Sequence, residues 1–296
     1  MFSLLNINEI EQVIMQDKPR ELTAQELRRL QLTQLDLLLA LDKVCRQHNI
    51  RYLMDGGTML GAIRHKGFIP WDDDIDVAML REDYEKLKSV KDEFDPSFCF
   101  FQDHTTDPGY RWGYGKLRRV GTSYVRLGQE HLKQHDGIFI DIFPFDDIPR
   151  FVLFQILQDV YLFCLRKILW SEVGRKSEKG FWGVWYSLLS IIPAKWVFWC
   201  IDRISAKSRN DRPNRARILM FPAFGSFGEK GRLPLCERYG LQKSVLLNVK
   251  EFEFEGRRLL GYADYHTRLN MEYGNYMELP PEEDRRPHLF VSSIKF

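Results

Sequence analysis

The chain contains no C-x-x-C pair, and its five cysteines (Cys45, Cys99, Cys164, Cys200 and Cys236) are odd in number and far apart. That argues against both a disulfide framework and a structural zinc site, and it predicts a reducing, cytoplasmic setting. Residues 1–20 hold no basic stretch leading into a long apolar one, so no secretory leader is expected. The longest uncharged run, residues 180–194, falls short of the roughly 20 residues that a spanning helix needs, and Pro193 sits near its end. With a net charge of only +2 and no aromatic-basic RNA signature, nothing points to a nucleic-acid partner. No internal repeat or low-complexity tract appears, and 296 residues suffice to bury a core without staples.

What is present begins with a helical pattern. Thr23-Ala-Gln-Glu26 forms a capping box, and Leu27, Leu30, Leu37, Leu38, Leu41 and Val44 recur near the helical spacing, with Asn49 as a stop. Residues 50–54 read as a short strand, Gly56-Gly57 as a turn, and 58–64 as a helix leaving that turn. "GFIPW" is a loop, "IDVAML" a strand, and 82–94 an amphipathic helix ended by Asp95-Pro96. Strand signals follow at 98–102, 110–118 and 137–143. This alternation predicts an α/β (α+β) class with a mixed sheet. The texture changes at Phe151, where aromatic-rich segments at 151–170 and 181–204 alternate with basic residues. The expected organisation is a catalytic core at 1–150, a helical subdomain at 151–215, and a C-terminal segment at 216–296 completing the catalytic domain. The helical subdomain reads either as an ordinary cap burying its aromatics or as a surface in peripheral contact with a membrane.

Four aspartates lie within residues 72–76, directly before an apolar strand. Carboxylates so close repel one another, and beside a core they need either water or a cation. A strand beginning near Asp74 would put Asp74 and Asp76 on one face, roughly 6.6 to 6.8 Å apart at the backbone. An EF-hand loop is excluded, because Val77 stands where the turn needs glycine and Asp83 where the twelfth-position glutamate belongs. Mg²⁺, or Mn²⁺, suits two carboxylates with its remaining positions left to water and phosphate. A Gly-Gly-Thr turn opening a helix suits close approach to a phosphate, but Ala62 and Ile63 after Gly61 exclude the Walker motif. A third acid, Asp141, sits between Ile140 and Ile142 in an apolar strand, where only a cation or a proton-bearing partner would reward it.

Together "GGT", "DID" and "IDI" resemble the glycine motif, paired acids and third acid of the nucleotidyltransferase superfold. More closely, "GGTMLGAIRHKGFIPWDDDIDVAM", "GKLRRVGTSYV", "GIFIDIFPFD" and "GNYMELPPEEDRRPH" resemble successive blocks of the LicD family, the phosphocholine transferases related to fukutin-type enzymes. The resemblance spans about residues 50–288 and is weak over 151–250. It implies a nucleotidyltransferase-like sheet flanked by helices with an inserted helical subdomain. It further implies a cytoplasmic enzyme that moves phosphocholine from CDP-choline to a sugar hydroxyl of a glycan precursor of teichoic acid or lipopolysaccharide type; if the segment at 151–215 touches a membrane, its place is the inner face of the cell membrane. Related members move ribitol or glycerol phosphate from their CDP forms. Carried onto this chain, Asp74, Asp76 and Asp141 are the catalytic and metal-binding acids, with Asp141 either ligand or base. Gly57, Thr58, Arg64, Lys66, Trp71, Lys116 and Arg118 are the substrate-binding candidates. Trp71 is singled out as an aromatic face for the choline cation, and the role of His65 stays open between base and structural hydrogen bond. A silent nucleotide-binding module and a metal-dependent hydrolase remain as alternatives.

Overall fold

The computed structural model describes residues 20–210, 214–221, 240–286 and 291–296. Residues 1–19, 211–213, 222–239 and 287–290, with Cys236 and His288, lie outside the described residues.

Helix α1 (Ala24–Gln47) starts at Thr23, where the capping box forms: Thr23 Oγ1 accepts from the Glu26 N–H, and the Glu26 carboxylate accepts from the Thr23 N–H. Its leucine stripe packs on a seven-stranded mixed sheet. That sheet contains β1 (Leu53–Met54), β2 (Asp76–Leu80), β3 (Cys99–Gln102), β4 (Gly115–Arg119), β6 (Phe139–Asp147), β7 (Arg215–Ile218) and β8 (Leu241–Gln242). The order runs β1-β2-β6-β4-β3, with β7 joined to β6 and β8 to β7. Strand β6 is buried along its whole length, because its first half lies between parallel β2 and antiparallel β4 and its second half pairs with β7. A strand covered in this way reads as a continuous apolar run, which is why Asp141 within it is conspicuous.

The short helix α2 (Gly56–Arg64) and helix α3 (Arg81–Ser89) flank β2. The hairpin β9 (Val249–Phe254) and β10 (Arg257–Tyr262) and the helix α8 (Tyr265–Tyr273) pack against α2 and β1, so the C-terminal part closes over the glycine turn. Strand β5 (Ser123–Arg126) pairs with β11 (Val291–Lys295). Between β6 and β7 stand α4 (Val152–Ser177), α5 (Gly180–Leu189) and α6 (Ala194–Asn210), with a small apolar core of their own around Leu162, Leu165, Val197 and Ile201. A short helix, α7 (Lys243–Leu247), follows β8.

Several expected boundaries shift for physical reasons. The helix after the turn begins at Gly56 itself, with Asp55 as its N-cap residue. Strand β2 begins at Asp76, not near Asp74, so strand alternation does not set the geometry of those two acids. Residues 110–114 precede β4 without pairing, since β3 ends at Gln102, opposite Lys116. The helix expected over 181–204 breaks after Leu189, because proline at 193 cannot donate to a continuing ladder. Most of the subdomain's large aromatics face outward, which removes the reading of a cap that buries them.

Candidate active site

The aspartate loop is held from behind by two glutamines that interrupt the leucine stripe of α1. Gln31 donates Nε2–H to the Asp72 carbonyl at 2.9 Å, and Gln34 donates to the carbonyls of Asp73 and Phe139 at 3.0 and 3.1 Å. From the other side the Asp76 N–H donates to Thr58 Oγ1 at 2.9 Å, the Asp55 N–H donates to the Asp76 carbonyl, and the Asp141 N–H donates to the Ile75 carbonyl. Main chain therefore brings residues 55, 58, 72–76 and 141 to one place, and the parallel register sets Asp76 directly beside Asp141.

The glycines serve these acids first. A Cβ on Gly57 would lie 2.6 Å from Asp72 Oδ2, and one on Gly56 would lie 3.1 Å from Asp76 Oδ2. Gly56 also holds φ at +51°, in the left-handed region that disfavours side chains. Carboxylate oxygens thus occupy the space beside the first turn of α2, where the helix N-terminus offers partial positive charge.

The acids crowd one another. Ligand oxygens of Asp72, Asp73 and Asp74 lie within 4.8 Å of one another. Burial raises the Asp76 pKa well above the ordinary carboxyl value, and Asp74, Asp141, Asp55 and Asp72 raise it further. Asp72 is raised by burial and then by Asp74 and Asp73. Hard oxygen donors in this excess fit a divalent ion of the Mg²⁺ or Mn²⁺ kind.

Next to the acids stands the opposite charge. Lys116 pairs with Asp141 across the β4–β6 register, and its ammonium lies 3.4 Å from the centre of the Phe139 ring. Arg118 and Arg126 reach over the same ring at 4.8 and 4.9 Å. Lys116 is pushed down to about 7 by burial, against the pull of Asp141 and with Arg126 and Arg118 adding to the fall. Burial likewise lowers Arg118 to about 10. Burial opposes the charge of Arg126 too, but Asp141, Tyr114, Tyr124 and Asp74 outweigh it and hold its pKa above the ordinary value. These three cations, with Trp112, Tyr124 and Gln134, line a cavity of about 110 Å³. The Nε of Arg126 and the Oε1 of Gln134 are buried there without a hydrogen-bond partner. A half-buried guanidinium with an unmet donor facing a cavity suits an anion.

Of the substrate-binding candidates, Lys116 and Arg118 lie in this cation-lined wall, and Gly57 and Thr58 position the acids. Arg64 lies elsewhere, donating to the carbonyls of Tyr276 and Glu278 at 2.9 and 3.2 Å and tying α2 to the C-terminal segment. Lys66 is exposed at φ +60°, where its carbonyl accepts from the Glu255 N–H. Trp71 is half-buried against the core, with the Arg285 guanidinium 5.8 Å from its ring centre and the His65 ring edge-on. His65 loses basicity through burial and then through Arg64.

Sequence reasoning missed Asp55, Arg126, the two glutamines and the Arg268 network. Asp55 is buried and accepts from Arg268 at 2.8 and 3.0 Å and from the Tyr262 hydroxyl at 2.9 Å. The glutamines had a signal, since polar residues in a leucine stripe need buried partners. Arg126 shares a strand face with Tyr124, but nothing in "SYVR" announces a cavity.

Comparison with known proteins places the chain among phosphotransferases with a nucleotidyltransferase domain. Residues 49–161 match the family model described as LicD/FKTN/FKRP, nucleotidyltransferase domain. The chain is 28% identical over 270 residues, 88% of this chain and 95% of the relative, to the lipopolysaccharide cholinephosphotransferase LicD of Haemophilus influenzae. A shorter match, 50% identical over 42 residues, reaches the human ribitol 5-phosphate transferase FKRP and covers 14% of this chain and 8% of that one. Residues 49–161 thus carry a nucleotidyltransferase domain of the LicD kind, and the similarity to the Haemophilus influenzae protein extends over most of the chain.

Proposed function

We propose that this enzyme transfers phosphocholine from CDP-choline to a sugar hydroxyl of a cell-surface glycan precursor, of lipopolysaccharide or teichoic acid type, with Mg²⁺ or Mn²⁺. The observation that carries the reading is the meeting of two opposite surfaces. A crowded acid cluster at Asp72–Asp76 and Asp141 adjoins a wall of Lys116, Arg118 and Arg126, joined at the Lys116–Asp141 pair. Phosphoryl transfer needs alignment and charge neutralisation more than covalent help, and a diphosphate between these surfaces would receive both.

In the proposed arrangement Asp74 and Asp76 hold the metal, which when bound neutralises phosphate charge. Lys116, Arg118 and Arg126 bind the remaining phosphate oxygens. The acceptor hydroxyl oxygen forms a bond to the phosphorus that carries choline, the bond from that phosphorus to the CMP oxygen breaks, and CMP leaves. Asp141, fixed by Lys116, either completes the ligand set or takes the hydroxyl proton. The Trp71 face already has a guanidinium over it, so an aromatic seat for choline falls better to Trp112 at the cavity wall. The shared segment with the ribitol 5-phosphate transferase keeps a polyol phosphate donor as the second reading.

The test is CMP release from CDP-choline, CDP-ribitol and CDP-glycerol, each with and without Mg²⁺ and a glycan acceptor. Arg126→Met should raise the donor KM by about 10-fold or more, the scale of a lost charge-assisted contact. Preference for a polyol donor would overturn the choline assignment. Release that needs no acceptor would make the chain a hydrolase, and no release with any donor would leave a binding module.

A further inference from the structure

Helix α5 does not behave as a core helix. Of its ten residues only Tyr186 is buried. That tyrosine sits against Gly174 of α4, where an added Cβ would lie 2.6 Å from the ring, and its hydroxyl lies 3.4 Å from the Lys167 ammonium. The apolar side chains around it point outward: Phe181 is 72% exposed, Trp182 57%, Val184 63% and Leu188 56%. Ile191, at 75%, continues the surface, and Trp196 and Trp199 at the start of α6 extend it. Isolated exposed apolar residues are ordinary, but a run of this kind with no charge from residue 180 to 194 marks a contact surface.

We infer that α5 and the start of α6 lie in the headgroup region of an anionic lipid bilayer. Three observations favour lipid. Exposed cations bound the uncharged run at both ends, Lys176 and Lys179 before it and Lys195 and Arg203 after it. Arg203 stands over the Trp199 ring at 4.5 Å, a pairing that joins the basic rim to the aromatic surface. Tryptophan with lysine around an apolar face is the composition of an interfacial helix. A symmetric contact with a second copy would bring the same basic rims together, whereas anionic headgroups complement them.

The geometry indicates lying on the surface rather than crossing it. Among the described residues no single helix is long and apolar enough to span, and the α5–α6 pair that has the length is bent by 75°. None of these surface residues lines the cation-walled cavity, so the surface can be tested without any assumption about the substrate.

The experiment is flotation of the full chain with vesicles of phosphatidylcholine alone and of phosphatidylcholine with one-quarter phosphatidylglycerol, at about 0.05 M and about 0.5 M salt. The native chain should float with the anionic vesicles at low salt, less at high salt, and more weakly with neutral vesicles. Trp182→Ser/Trp185→Ser should lower the partition coefficient about tenfold at both salts, and Lys179→Glu/Lys195→Glu should remove the preference for anionic vesicles. Both variants change exposed residues, so an unchanged circular dichroism melt accompanies the expected result. The inference is overturned if the native chain stays with the protein fraction in every condition, or if the tryptophan variant floats as well as the native chain. It is also overturned if sedimentation shows a dimer that the tryptophan variant dissolves while no vesicle binding occurs.

Discussion

Replacing Arg268 by methionine should destabilise the enzyme without altering any acid of the proposed metal site. Asp55 is 2% exposed, and Arg268 supplies two of its three side-chain hydrogen bonds, at 2.8 and 3.0 Å; the third comes from Tyr262. Methionine would keep most of the volume but leave a buried carboxylate facing Asp76 with a single neutral donor. Removing one partner of a buried ion pair costs about 3–5 kcal/mol, mostly because the other charge stays uncompensated. At about 2–4 °C per kcal/mol for a domain of this size, the melting temperature should fall by about 6–20 °C. Asp55→Asn in the same background removes the stranded charge and should return part of the loss. Urea unfolding followed by far-ultraviolet circular dichroism measures the native enzyme and both variants. A loss under about 1 kcal/mol, or a double variant no better than Arg268→Met, would refute the argument that α8 fixes the glycine turn through this pair.

The acid cluster makes a second expectation of opposite sign. Asp76→Asn should lose most turnover yet melt a few degrees higher than the native enzyme in chelator, since it relieves repulsion from Asp74, Asp141, Asp55 and Asp72; Mg²⁺ should then raise the melting temperature of the native enzyme only, and a variant that melts lower in chelator would count against the crowding. A third concerns His104, which stacks on Phe198 of α6 at 4.2 Å and is kept below its ordinary pKa by burial, against the pull of Asp103 and Asp202 and with Lys88 and Arg81 adding to the fall. Because the folded state prefers the neutral ring, this contribution is present above the ordinary histidine value of about 6.5 and is lost as the pH falls from there through the lowered pKa of the folded state. His104→Phe should therefore reduce the drop in melting temperature between about pH 7.5 and about pH 5.5, and equal drops would show that His104 does not govern it.

Whatever depends on neighbours along the chain was legible before any coordinates. The capping box at Thr23 and Glu26, the leucine stripe of α1, the glycine turn and the apolar strand around Asp141 are local patterns, and the blocks around the last two suffice to match a family domain over residues 49–161. Crowded aspartates next to a core also announce a cation without any coordinates, because charge density alone makes the argument. Tertiary structure decided what depends on pairing register and long-range closure. Only the β2–β6 register sets Asp76 beside Asp141, and only the β4–β6 register gives Lys116 to Asp141. The Arg126 cavity needs β4, β5 and β6 together, and the Asp55–Arg268 pair joins residues 213 apart in sequence. The same limit explains Arg64 and Lys66. As cations beside a glycine motif they look like phosphate ligands, yet the fold turns Arg64 toward backbone carbonyls and leaves Lys66 in solvent. Composition could also not say whether the aromatics of α5 pack inward or outward, because a short helix with apolar residues on all sides carries no preferred face; its single buried tyrosine, set against Gly174, decided that.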